Sequence, residues 1–272
     1  MTKKFLKTML LAAAGLTILA SAGKAQVTYN NANGDFLLGF RQVGSTNSVL
    51  LDIGPITDFT IAQSWSLGNL GSVLASTFGS GWATDANVFF SLAATTRPGD
   101  STRTNYVTSP GYLSSAFSVT VWNRLTSTNS LTLQNKIIAM GNQYNDATLQ
   151  AQQTPGNRAE VEPNSLANAY ANYHPGGTND AGHASGNISY GFFNPTVEGN
   201  FGEGTAGVHL DLIQLVPGSG PGVDLGYFTL SADGSTLFFT PVPEPSTYAM
   251  MGLGMIGLTG LVILKRRRQV RA

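Results

Sequence analysis

Imidazole and carboxylate groups gather in one stretch of the chain. His174, Asp180 and His183 stand within HPGGTNDAGH, with Glu160 and Glu162 upstream. Such groups can hold a divalent cation. The spacing matches no ligand pattern of the HExxH kind and no DxDxDG loop is present, so the segment reads as a solvated loop and no metal or cofactor is expected. Sugar hydrolysis needs two carboxyl groups roughly 5 to 10 Å apart. Glu160 with Glu162 and Glu198 with Glu203 are the pairs to weigh, although acids so scattered more often form turns and solvated surface. No GxSxG elbow accompanies the three histidines, which leaves a catalytic triad without support. There is no cysteine, and hence no thiol nucleophile, thiolate site or disulfide. Gly252, Gly254 and Gly257 spell the GxGxxG of dinucleotide sites, but that motif opens a helix after a strand, whereas here it lies inside an apolar run. Trp65, Trp82 and Trp122 could stack on sugar rings if exposed, yet most aromatics in strands belong to the core.

The ends of the sequence carry more specific patterns. Lys3, Lys4 and Lys7 precede the apolar run Met9 to Ala20, which is the layout of a secretory leader. Twelve apolar residues fall short of the roughly 20 needed to span a bilayer. Small residues follow at Ser21, Ala22, Gly23 and Ala25, so signal peptidase is expected to cut between Ala25 and Gln26, with Ala22 as a second possible site. Toward the other end, Tyr248 to Leu264 is a 17-residue stretch without charge, followed at once by Lys265, Arg266, Arg267 and Arg268. That is a short transmembrane helix with a basic stop, and positive charge is retained on the cytoplasmic side, so everything before Tyr248 should lie outside. Just upstream, Val242 to Ser246 reads VPEPS. Its prolines fix φ and lack an amide hydrogen, which keeps the stretch extended and out of the helix.

Extended PEP, apolar helix and arginine cluster, taken together over Val242 to Arg268, resemble the PEP-CTERM sorting signal of Gram-negative bacteria. The resemblance implies that a membrane transpeptidase, exosortase, recognises Pro243, Glu244 and Pro245 and removes the helix while passing the protein onward. These would be substrate residues and not catalytic ones. It also implies a place on the envelope or in the matrix of a bacterium that makes exopolysaccharide. GDFLLGFR (Gly34 to Arg41) and LGYFTLSADG (Leu225 to Gly234) are similar to segments of one group of exported PEP-CTERM proteins, which implies one domain between them and no particular chemistry.

The chain divides accordingly into a leader (1–25), an exported domain (26–241) and a sorting signal (242–272). Between Gln26 and Val242 there are 14 acids against six bases, net −8, hidden within a neutral total. That balance excludes nucleic acid as the main partner. Gly, Ser, Thr and Asn are abundant and charge is sparse, which favours short strands and many turns. Strands are expected at Phe36 to Phe40, Val49 to Ile53, Val88 to Leu92, Phe117 to Val121, Ile188 to Phe193 and Val208 to Val216, the last with Val208, Leu210 and Leu212 inward and His209 and Asp211 outward. Leu225 to Ser231 and Ser235 to Thr240 should form a hairpin across Ala232, Asp233 and Gly234. Helical spacing appears at Leu70, Val73, Leu74 and Phe78, and again from Leu166 to Tyr173, while Leu131 to Met140 is ambiguous. The expected fold is a mainly β, antiparallel sandwich of two sheets with a few short helices, plus one C-terminal transmembrane helix. The expected function is that of a non-enzymatic surface or matrix protein whose partners are signal peptidase, exosortase and the membrane. A carbohydrate-binding module acting on exopolysaccharide is the alternative, and a secreted hydrolase ranks third.

Overall fold

The computed structural model describes residues 27–58, 61–96, 102–110, 125–154, 156–175, 189–191, 193, 197–201, 209–218 and 222–242. The leader, the strand expected at Phe117 to Val121, and the segment from Pro243 onward lie outside them.

Ten strands are present among the described residues: β1 Asp35–Gln42, β2 Asn47–Pro55, β3 Gln63–Ser66, β4 Val88–Thr95, β5 Asn105–Pro110, β6 Glu160–Pro163, β7 Gly199–Asn200, β8 His209–Leu215, β9 Val223–Leu230 and β10 Thr236–Pro241. Three helices accompany them, α1 Leu70–Phe78, α2 Ser127–Tyr144 and the short α3 Ala147–Gln150. The strands form one antiparallel sheet in the order β3-β10-β9-β8-β5-β4-β1-β2-β6, with β7 added beside β4. The antiparallel β-rich character follows the expectation, but the division into two sheets does not. β5 pairs with both β4 and β8, so what would be two layers is one continuous sheet.

That sheet curls. Phe36 on β1 meets Phe228 on β9 edge to face with ring centroids 6.1 Å apart, although β8, β5 and β4 intervene. Four steps in a flat sheet would separate them by roughly 19 Å, at about 4.8 Å per strand. The curl closes on an inner core in which Phe36, Leu38 and Phe40 of β1 face Leu210, Leu212, Phe228 and Leu237. Alternation along each strand supplies these residues, as a half-barrel requires. α1 adds Leu70, Leu74 and Phe78 to the same core.

The outer face of the β5-β4-β1-β2 half is covered as well. α2 lays Leu133, Ile137, Met140 and Tyr144 against Leu37, Leu50, Ala93 and Val107. Thr126 caps it by accepting from the Asn129 amide at 3.1 Å, and Asn105 Nδ2 donates to Ser130 Oγ at 2.8 Å, pinning the first turn over β5. On β8, Leu210 and Leu212 point inward as expected, and alternation puts Ile213 and Leu215 in the other core, while the bulge in this pair skips Leu225 on β9. The hairpin is present, with Leu230 opposite Leu237 and Gly234 at φ +71° in the turn. The helix expected over Leu166 to Tyr173 is only a 3-10 turn at Tyr170–Tyr173.

Candidate functional site

The polar residues singled out by sequence fall into three places. The first is a buried centre on the covered face. Arg41 lies on β1 with Gly39 and Leu37 on one side of the strand, and Glu198 immediately precedes β7. They form a two-pronged ion pair, Nε to both carboxylate oxygens at 2.9 and 3.0 Å and Nη2 to Oε2 at 2.6 Å. Phe89 stacks on the guanidinium at 4.8 Å. Tyr170 OH donates to Glu198 Oε1 at 2.9 Å and shares a hydrogen bond with Ser91 Oγ at 2.8 Å. The Tyr170 ring packs directly against Gly39, where any Cβ would collide with it.

His174 sits beside this pair, fully buried, its ring centroid 4.3 Å from that of Tyr170. Burial depresses its pKa to about 4 despite the opposing pull of Glu198, with Arg41 adding to the fall, so the imidazole is neutral above it. Burial would raise Glu198, but its neighbours His174 and Arg41 and the hydrogen bonds it accepts hold it below the ordinary range. Because His174 is uncharged near neutral pH, Arg41 is the cation that balances Glu198 there. His174 Nδ1 faces both Ser189 Oγ, at 3.0 Å, and Glu198 Oε2, at 3.6 Å. A hydroxyl–imidazole–carboxylate relay needs them on opposite nitrogens, so this grouping does not form one. The expected solvated loop around His174 is therefore corrected to an interior position, while Asp180 and His183 lie outside the described residues. Among the described residues, no group of three or more histidines and acids could hold a metal ion.

Glu160 and Glu162 occupy one side of β6, and both are 0% exposed. They are not solvated surface, and no sugar reaches them. Glu162 Oε1 accepts from the Tyr170 amide at 2.5 Å and from Ser48 at 3.1 Å, and Glu160 Oε1 accepts from Gln153 at 2.7 Å. Burial raises Glu162 to about 7 and Glu160 to about 8. Asp52 is raised to about 7, by burial first and then by Asp35. Sequence reading missed Arg41, Tyr170 and the Asp35–Asp52 pair. The available signal was a charged residue within an otherwise apolar strand, as in GFR and LLD.

The second place is the outer face of β8, β9, β10 and β3. Register sets His209, Thr229, Phe238 and Ser64 in one row across four strands, and Asp211, Tyr227 and Thr240 in the next. His209 and Tyr227 rings are 5.0 Å apart, and Phe238 is 45% exposed. Burial, and then Asp224, lifts Asp211 to about 6. These strands contain no lysine or arginine. The tryptophans do not contribute, since Trp65 packs on the inner core and Trp82 is buried against Phe201; Trp122 lies outside the described residues.

The third place is the end of β10. Thr240 and Pro241 pair with Tyr227 and Gly226, the Val242 amide donates to Leu225 O at 3.1 Å, and the Val242 side chain is about half exposed. The sheet thus holds the chain to the residue before Pro243. No helix among the described residues is long and apolar enough to cross a membrane, and the expected span Tyr248 to Leu264 lies outside them, as do Ala25 and Gln26. No curated protein and no solved structure matches the chain. Residues 241–268 match the family model described as the PEP-CTERM protein-sorting motif, beginning at the last residue of β10. The chain therefore carries a PEP-CTERM sorting motif directly behind its final strand, which marks it for exosortase-dependent export and membrane-associated sorting.

Proposed function

We propose that this is a non-enzymatic protein of the bacterial cell surface or extracellular matrix. Its leader is removed by signal peptidase, its C-terminal helix holds it in the inner membrane, and exosortase exchanges that helix for a final attachment or release. The observation that carries the reading is the junction at Val242, where a closed hydrogen-bonded ladder gives way to the matched motif. Pro243 and Pro245 lack an amide hydrogen and fix φ, a residue pattern that suits recognition as extended chain by a processing enzyme. The mutual burial of Arg41, Glu198, Tyr170 and His174 supports a structural role for the polar centre.

Glu244→Ala should leave leader removal and export intact but block loss of the tail. The intact mass of the membrane fraction would then include Tyr248 to Ala272. A Glu244→Ala protein that loses its tail like the unaltered one would contradict exosortase processing.

A second reading, that the domain binds a neutral polysaccharide, is favoured by the outer face described above. Ring faces at Tyr227 and Phe238 alternate with threonine, serine and carboxylate groups, a mixture suited to stacking on sugar rings while bonding their hydroxyls.

A further inference from the structure

Two side-chain amides hold the first described residues. Gln153 accepts from the Val27 amide at 2.9 Å and donates back to the Val27 carbonyl at 3.0 Å. Two residues on, Asn145 accepts from the Tyr29 amide at 2.8 Å and donates to its carbonyl at 2.9 Å. Bonding both backbone groups of alternate residues is what a neighbouring antiparallel strand does. Here two side chains stand in for that strand, and the segment belongs to none of the ten. Gln153 is fixed in orientation by Tyr144 OH at 3.1 Å and Glu160 at 2.7 Å. Thr28 points to solvent, whereas the Tyr29 ring is buried against Gly141, a position any Cβ would obstruct.

The leader's end, at Ala25 and Gln26, adjoins this strap. We propose that the strap docks only after the leader is cut, so that signal peptidase cleavage is the step that lets the exported domain complete its fold. A peptidase acting between Ala25 and Gln26 must hold extended main chain on both sides of that bond. In the docked strap the backbone groups of Val27 and Tyr29 are already taken. Before cleavage, Ser21 to Gln26 can span at most about 21 Å from the apolar run, which keeps the strap against the membrane. The proposal rests on the leader reading and is independent of exosortase.

The test uses the full-length chain, pulse-labelled in export-competent cells and exposed to protease from outside the inner membrane. Leader-bearing chains should be digested at every time point, with resistance appearing only in shortened chains. An Ala22→Arg/Ala25→Arg variant, which blocks both candidate cuts, should stay sensitive throughout. Asn145→Ala/Gln153→Ala should be shortened at least as fast as the unaltered chain, yet its shortened form should be digested at least about tenfold faster, the effect of losing about 1.4 kcal/mol from the closed state. A protease-resistant, leader-bearing chain that is cut afterwards would overturn the coupling. A chain that is never shortened at its N-terminus would overturn it too, by contradicting the leader reading.

Discussion

Arg41 shows how a single buried charge constrains the domain. Its guanidinium packs on Phe89 and makes three hydrogen bonds to Glu198, and both side chains are withdrawn from water. Removing one partner strands the other, which costs about 3–5 kcal/mol, whereas removing both can be nearly neutral. Arg41→Met should therefore lower the free energy of unfolding in urea by about 3–5 kcal/mol. Arg41→Met/Glu198→Met should recover a large part of that loss. A double variant no more stable than the single one would show that the pair itself, and not the stranded charge, accounts for the cost. The chain does not announce this pair, because its partners are 157 residues apart. Glu160, Glu162, Glu198 and His174 stood out as chemistry-bearing residues, yet nothing local said that they would be buried or which of them would meet.

Among the elements, local pattern was enough wherever one rule acted alone. The hairpin of β9 and β10 was legible because Asp233 and Gly234 separate two alternating runs, and α1 because Leu70, Leu74 and Phe78 lie on one helical stripe. α2 was ambiguous because serine, threonine and asparagine dilute its stripe, so packing of Leu133, Ile137 and Met140 on the sheet decides it. β6 reads EVEP and resembles no strand, since its two acids are inward; they are accommodated by Ser48, Gln153 and the Tyr170 amide. The outer face of β8, β9 and β10 was legible only in part, since His209 and Asp211 were placed outward but the rows they share with Tyr227 and Phe238 depend on register. If that face binds neutral glycan, Tyr227→Ala/Phe238→Ala should weaken retention on a neutral polysaccharide about tenfold or more, equivalent to about 1.4 kcal/mol, with unfolding in urea little changed. Equal retention of both proteins would remove the second reading.

At the scale of the whole molecule, the buried acids set how stability follows pH. Glu160, Glu162 and Asp52 have folded pKa values of about 8, 7 and 7, above their unfolded values. The native state keeps protons that the unfolded chain releases, so their contribution is full below about pH 4 and is lost as pH rises toward 8. His174, lowered to about 4, acts in the opposite sense between about pH 4 and 6.5, and Glu198 withdraws support at still lower pH. Three acids against one imidazole leave a net decline, and each uncompensated proton contributes about 1.4 kcal/mol per pH unit. Thermal unfolding should occur at a higher temperature at pH 5 than at pH 8, with Glu160→Gln reducing the difference. An equal or higher midpoint at pH 8 would contradict protonated interior carboxyls. One curled sheet in place of two was beyond local pattern, because it depends on β5 bridging β4 and β8.

On the proposed function, the exported domain is freed of a segment at each end. The intact mass of the protein recovered from outside its native cells tests this most directly. The expected species begins near Gln26 and ends at Pro243 to Pro245, with the mass of any attached group added. A species that still contains Tyr248 to Ala272 would make the protein a permanent resident of the inner membrane and contradict its release to the surface.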